Sequence, residues 1–165
     1  MNKAYLLTGG NQGDIAAHMQ LAKGYINKKI GSIINQSSLY KTAAWGNTLQ
    51  PDFLNRVLVV GSDLGASQML SCILDIENNL GRVRNKKNDP RIIDIDILFF
   101  NDEIIQQPGL TIPHAEIPNR RFVLQPMNEI APDLIHPVLK KTIRELLQLC
   151  KDPLDVTVFD KINTF

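Results

Sequence analysis

Little in this chain points away from an ordinary globular protein. Two cysteines in 165 residues, Cys72 and Cys150, cannot build the disulfide framework of a small secreted scaffold. Both sit in apolar patterns of helical spacing, as reduced packing residues do. Charge of one sign is also missing. With 18 Lys and Arg against 17 Asp and Glu, a formal net charge of +1, there is no bulk attraction for nucleic acid or an anionic membrane, so any affinity for phosphate is local. The apolar run before Gly9 is too short for a signal-peptide core or a membrane span. A cytoplasmic protein, bound to neither nucleic acid nor membrane, is expected, and Asn35-Gln36-Ser37 is then a chance sequon. Repeats, low-complexity tracts and linkers are missing too. At 44% hydrophobic and 21% charged, the chain reads as a single domain over residues 1–165, large enough to bury a core unaided.

What is present centres on residues 89–100, DPRIIDIDILFF. As a strand, its side chains alternate, with Asp94, Asp96, Leu98 and Phe100 on one face and Ile93, Ile95, Ile97 and Phe99 on the other. Two carboxylates one pleat apart, about 7 Å along a strand, repel each other and are best explained by a cation both can ligate. A hard divalent ion with oxygen ligands fits, Mg²⁺ first. Immediately upstream, Arg82, Arg84, Lys86, Lys87 and Arg91 crowd cationic side chains into one short segment. Such a run is either a solvated loop or a source of positive charge for phosphate oxygens. Next to paired aspartates it suggests phosphoryl chemistry.

The rest of the chain supplies the frame. Residues 4–8 read as a strand, and GGNQGD after it as a tight turn. That turn matches neither common phosphate-loop pattern, and Asp14 lies near the start of a helix over 14–29 that Gly31 closes. Residues 32–42 are β-rich. The loop 42–52 carries the only tryptophan, Trp45, and is either a mobile binding loop or a plain connection. The strand 53–62 sets Phe53, Asn55, Val57 and Val59 on one face. Phe53 and Asn55 are either core plus edge polarity, or a stacking surface and an amide that reads the edge of a flat heterocycle. A helix over 64–80 has the stripe Met69, Ile73, Ile76 and Leu80, with Glu77 at its border as a surface partner of Arg82 or Arg84 and Gly81 past its end. Then come a short strand at 103–105, His114 in a loop, and a helix over 119–129 that Pro126 shortens or bends. Thr142 and Glu145 form a capping box before a last helix, and an edge strand follows at 156–159. Strand, helix, strand, strand, helix, strand over residues 4–100 is the order of an α+β, ferredoxin-like βαββαβ core with a mostly antiparallel sheet. The later elements cover its second face, giving helices on both faces in three α/β/α layers.

On these residues the chain resembles the 6-hydroxymethyl-7,8-dihydropterin pyrophosphokinase family over nearly its whole length. The most specific match is Pro90-Arg91, two residues, then Asp94-Ile95-Asp96-Ile97. Supporting pieces are Tyr40-Lys41-Thr42, Pro51-Asp52-Phe53-Leu54-Asn55, Gly81-Arg82-Val83-Arg84, Ile112-Pro113-His114, Asn119-Arg120, Phe122-Val123-Leu124 and Glu129-Ile130-Ala131-Pro132. The resemblance implies transfer of the β,γ-diphosphoryl group of ATP to the hydroxymethyl oxygen of the pterin, with AMP left over, in folate biosynthesis. It implies two Mg²⁺ ions on Asp94 and Asp96, with Arg82 and Arg91 on the transferred group as the rest of the catalytic set. For ATP it implies Glu77, Arg82, Arg84, Arg91, Thr111, His114 and Arg120; for the pterin, Thr42, Ala44, Trp45, Phe53, Asn55 and Phe122. The substrates are the only partners expected, and the chain is expected to be a monomer. It departs from the family pattern at Gly10 in place of a serine, at Ala43-Ala44 in place of Pro-Pro, at Ala115 and Leu74, and in a shortened loop after Arg84. The residues by themselves also allow a two-metal nucleotidyltransferase, or a non-catalytic ferredoxin-like ligand-binding module.

Overall fold

In the computed structural model, which describes residues 1–43, 49, 51–81 and 92–160, an antiparallel sheet lies between two layers of helices. Its strands are β1 (Asn2–Gly10), β2 (Ser32–Gln36), β3 (Leu39–Thr42), β4 (Phe53–Ser62), β5 (Asp94–Phe100) and β8 (Val156–Asp160). They run in the order β5-β1-β4-β3-β8, with β2 also on β4. β2 and β3 are two parts of one interrupted strand along β4. Ser37 bridges the break: its N–H donates to the Val57 carbonyl, and its Oγ accepts from the Val57 N–H at 3.0 Å. That interruption is why the 32–42 pattern shows no clean pair of faces.

Alternation along the strands sorts the core into two. Ala4, Leu6, Leu58, Val60, Ile95 and Ile97 pack beneath α1 (Ile15–Lys29) and α2 (Ala66–Asn79), together with Met19, Ile26, Met69, Ile73 and Ile76 from those helices. Tyr5, Leu7, Val57, Val59, Leu98 and Phe99 face the other way. They meet Val123, Leu124 and Met127 of α3 (Arg121–Ile130) and Ile143 and Leu146 of α4 (Ile143–Leu149). Two helices on each face give the three-layer ferredoxin-like arrangement the sequence implies. Asp14 caps α1 by accepting from the Ala17 N–H, and the Thr142–Glu145 capping box starts α4.

Several local expectations change. Gly9 and Gly10 belong to β1, because β4 and β5 pair with that strand as far as Gly10 and Gly9 respectively; the turn begins only at Asn11. Gly31 has no left-handed backbone. A Cβ there would lie 2.9 Å from Ser62 Cα, so glycine is needed to let the end of α1 approach β4. Strict alternation on β5 fails at Leu98, which is extra in the pairing that sets Phe99 opposite Tyr5 and Ile97 opposite Leu6. This bulge sends Phe99 to the α3 side and Phe100 to the α1 side, reversing the expected sides of both. The strand expected at 103–105 is the hairpin β6 (Ile105–Gln107) and β7 (Leu110–Ile112), and Leu110 and Ile112 of β7 extend the α1–α2 core. Pro118 sits in a 3₁₀ turn over Ile117–Asn119, and α3 starts only at Arg121. It continues through Pro126, which cannot supply the amide that would meet the Phe122 carbonyl.

His136 shows how a titratable group is held in this layer. It is 5% exposed, its ring meets Phe99 edge-on, and its Nδ1 accepts the backbone N–H groups of Val138 at 3.2 Å and Leu139 at 3.0 Å. Burial lowers its pKa from the ordinary 6.5. The depressed pKa keeps the folded state neutral while the unfolded chain takes up a proton, so this contribution is present above pH 6.5 and is lost as pH falls below it. Thermal melts from pH 7.5 down to 5 are expected to show a falling Tm that His136→Gln flattens. An equal acid slope in the variant would contradict this.

Candidate active site

The edge strand β5 presents Asp94 and Asp96, both half-buried, on the α3 side of the sheet. Pairing places Asp94 beside Gly9 and Asp96 beside Leu7 on β1, Asn55 of β4 on the far side of Gly9, and Tyr40 of β3 beyond Asn55. One row across four strands therefore reads Tyr40, Asn55, Gly9, Asp94. Gly9 is the gap in it: with no Cβ, it leaves room for the Asn55 amide to lean over β1. Asn55 is 6% exposed, so its donor and acceptor atoms sit low in the floor.

Above that row opens a cavity lined by Leu7, Gly9, Thr42, Ala43, Phe53, Asn55, Asp94, Asp96, Arg120 and Phe122. Two aromatics, a buried amide and two carboxylates share this one hollow. Phe53 opens β4, Phe122 lies in the first turn of α3, and Arg120 precedes that helix. The Arg120 guanidinium lies 5.7 Å from the Phe122 ring centroid, a cation–π contact that steadies the ring. Its Nε is 3.8 Å from Glu116 Oε2. Thr42 is 4% exposed, and its hydroxyl donates to the Asp155 carbonyl at 3.1 Å.

Two expected ATP residues stand on β7 and the segment after it. Thr111 is exposed on β7 itself. His114 follows a cis Ile112–Pro113 bond, and its N–H donates to the Leu98 carbonyl at 3.0 Å, which fastens the segment to β5. Its Nδ1 accepts from the Glu116 N–H at 3.1 Å. Burial first, and then the Arg120 charge, lower its pKa, against smaller raising effects of Glu116 and Asp94. The imidazole is thus held neutral, with Nδ1 as acceptor, near the acidic edge of the cavity. Glu77 stands elsewhere. It is 2% exposed, not at a solvent border, and its Oε2 accepts the Ile95 N–H at 2.8 Å from behind β5. It does not line the cavity. It satisfies an outward amide of the edge strand, between the two aspartates in sequence. Ala44, Trp45, Arg82, Arg84 and Arg91 lie outside the described residues.

Sequence reasoning passed over Gly9 and Leu7 as cavity residues, and Glu129 as a brace. Glu129 of α3 takes the Ser38 N–H, the Ser38 hydroxyl and the Tyr40 hydroxyl, each at 2.8 Å. Burial, and then that bond, raise the Tyr40 pKa. No three-residue group of metal-ligating side chains occurs among the described residues. Two carboxylates at the rim of a hollow nonetheless suit Mg²⁺, which takes one or two carboxylates and completes its shell with water and substrate phosphates. The donor set therefore fits the expected ion.

Similarity to known proteins gives the family of the chain. The chain is 38% identical over 148 residues to the 2-amino-4-hydroxy-6-hydroxymethyldihydropteridine pyrophosphokinase of Methylorubrum extorquens, covering 89% of this chain and 92% of that one. To the enzyme of the same name from Aquifex aeolicus it is 36% identical over 145 residues, 88% and 90% of the two chains. The wild-type HPPK-DHPS of Plasmodium falciparum matches at a TM-score of 0.75 and 21% identity, over 90% of this chain and 44% of that longer one, a likeness of fold alone. Residues 5–132 match the family model for 7,8-dihydro-6-hydroxymethylpterin-pyrophosphokinase, so with relatives of this identity along nearly its full length the chain belongs to the HPPK family.

Proposed function

We propose that the cavity between β3, β4, β5 and α3 is the pterin site, and that ATP meets it at the Asp94–Asp96 rim. The chain is a pyrophosphokinase of folate biosynthesis. ATP donates its β,γ-diphosphoryl group to the hydroxymethyl oxygen of 6-hydroxymethyl-7,8-dihydropterin, and AMP is released. The observation that carries the assignment of residues is the row Asn55, Gly9, Asp94, with Phe53 and Phe122 over the same hollow. A flat ring laid between the two aromatics meets the Asn55 amide at its polar edge, and its substituent then points along the row to the carboxylates.

Diphosphoryl transfer asks for positioning and charge neutralisation more than for a covalent role of the protein. Asp94 and Asp96 would hold two Mg²⁺ ions, which supply neutralisation of phosphate oxygens and a lowered hydroxyl pKa when bound. Arg82 and Arg91 are assigned to the transferred group, with Arg84, Arg120, Thr111 and His114 assigned to the nucleotide. Glu77 is assigned to that side through β5 rather than by touching the cavity. Thr42, Ala44 and Trp45 are assigned to the pterin side. The chain acts as a monomeric single domain over 1–165 in the cytoplasm. Incubation with ATP, Mg²⁺ and the reduced pterin, followed by chromatography of the spent nucleotide, tests the reaction: AMP is expected, whereas free pyrophosphate would indicate nucleotidyl transfer and unspent ATP a binding module.

Asn55 offers a second test. Truncation to alanine removes both polar atoms from the floor while leaving the carboxylate rim intact. Calorimetry on Asn55→Ala is expected to show pterin affinity roughly tenfold or more weaker, from the loss of paired polar groups, with ATP binding little changed. A matching loss for both ligands would contradict the separation of the two halves.

A further inference from the structure

The stretch leading from α4 to β8 is tied to two walls of the cavity, although none of its residues lines it. Asp152, 6% exposed, accepts twice: Oδ2 takes the Arg121 N–H at 3.0 Å and Oδ1 the Leu154 N–H at 3.0 Å. Arg121 returns the grip. Its Nε and Nη2 donate to the Asp152 carbonyl at 3.3 and 3.2 Å, and Nη2 to the Cys150 carbonyl at 3.1 Å. The Arg121 amide is the first of α3, one of the donors a helix leaves without an internal partner, and a buried carboxylate caps it from elsewhere in the chain. Arg120 and Phe122, on either side of Arg121, line the cavity. Three residues beyond Asp152, the Asp155 carbonyl takes the Thr42 hydroxyl, and Val156 pairs in register with Thr42 on β3.

Resting on the reading of this cavity as the pterin site, we propose that Asp152 is a positioning residue which sets the gap between Phe122 on α3 and the Thr42–Phe53 corner of the sheet. Without its carboxylate, two part-buried amides lose their acceptor and the first turn of α3 is no longer fastened to the segment that runs along β3. The aromatic wall then drifts from the floor. Of the residues assigned to the nucleotide, Arg120 alone adjoins this anchor in sequence, and its guanidinium is held separately by Glu116; His114 is fastened to the Leu98 carbonyl.

The test is calorimetry on the full chain, titrating 6-hydroxymethyl-7,8-dihydropterin in saturating Mg²⁺ and a non-hydrolysable ATP analogue, and separately titrating that analogue. Asp152→Ala is expected to weaken the pterin about tenfold and Asp152→Asn, which keeps one acceptor, about threefold, by the usual scale of a lost cap. Affinity for the ATP analogue stays within about twofold. Combined with Phe122→Ala, Asp152→Ala adds little further loss, because the gap ceases to matter once the ring is gone. Unchanged pterin affinity in Asp152→Ala, an equal loss for both ligands, or full additivity with Phe122→Ala would each overturn the positioning role. If Asp152→Ala does not fold, the Asp152→Asn comparison decides by the same criteria. The two levels stay separable: if Phe122→Ala leaves the pterin unaffected, the reading of the cavity falls and the role of Asp152 with it. If Phe122→Ala weakens the pterin and Asp152→Ala does not, the positioning role alone falls.

Discussion

Asp96→Asn is expected to lose turnover on the order of a thousandfold while the protein stays folded, the scale seen when a charge-stabilising group is removed from the reacting centre. The substitution keeps the shape of the side chain, so the pairing of Asp96 with Leu7 and the packing of Ile95 and Ile97 behind it persist. What goes is one of two negative charges on the half-buried rim. An asparagine oxygen is a far weaker ligand for a hard dication than a carboxylate, so phosphates gathered there face less neutralisation. AMP formation in saturating Mg²⁺ measures the loss, and circular dichroism melts check that Tm moves by only a few degrees. Near-normal turnover would end the assignment of Asp96 to the metal. Loss of folding along with activity would instead make the pair structural.

Gly9→Ala is expected to be the most damaging single-methyl change in the floor. A Cβ at this position collides with the Asn55 amide and lies 2.7 Å from the Leu54 carbonyl oxygen. Backbone of a central strand cannot move aside, because β4 and β5 both pair with β1 here. The Asn55 side chain must therefore turn away. Overpacking of this kind costs about 1–3 kcal/mol, and Tm falls by several degrees. Pterin affinity falls with it, by about tenfold or more if the displaced amide no longer meets the ring. ATP-analogue affinity should hold, since its assigned residues lie on other segments. Unaltered pterin binding in a folded Gly9→Ala protein would show that the amide in this rotamer is not what reads the ligand.

The history of Gly9 also shows where reading a sequence stops. The pair Gly9-Gly10 carries turn chemistry, and locally nothing contradicts a turn. Pairing on both sides keeps it in the strand, an instance of tertiary context overriding local preference. Glu77 repeats the lesson: helical spacing puts it at the border of an apolar stripe, which on a lone helix is solvent. The outward N–H of Ile95 makes that border a buried acceptor site. At Leu98 the two-residue period, reliable from Asp94 to Ile97, fails because a bulge is set by how β5 registers on β1. Asp152 gave no signal at all, and Glu129 showed only as part of a family motif without its bracing role, since each acts on amides or hydroxyls that lie far away in the chain.

The amino-acid sequence by itself determined what each segment could become. Periods of 2 and 3.6 marked the strands and helices, caps marked several of their ends, and Asp94 and Asp96 were placed on one face because alternation is a purely local property. The ordered set of motifs was likewise enough for the family. Only the tertiary structure decided which residues became neighbours. That Tyr40, Asn55, Gly9 and Asp94 form one row, and that Phe53 and Phe122 share a hollow, depends on strand register and on which face α3 covers. Those are outcomes of long-range pairing and of packing two separate cores at once, and a slip of one residue would have turned every one of these side chains to the opposite face.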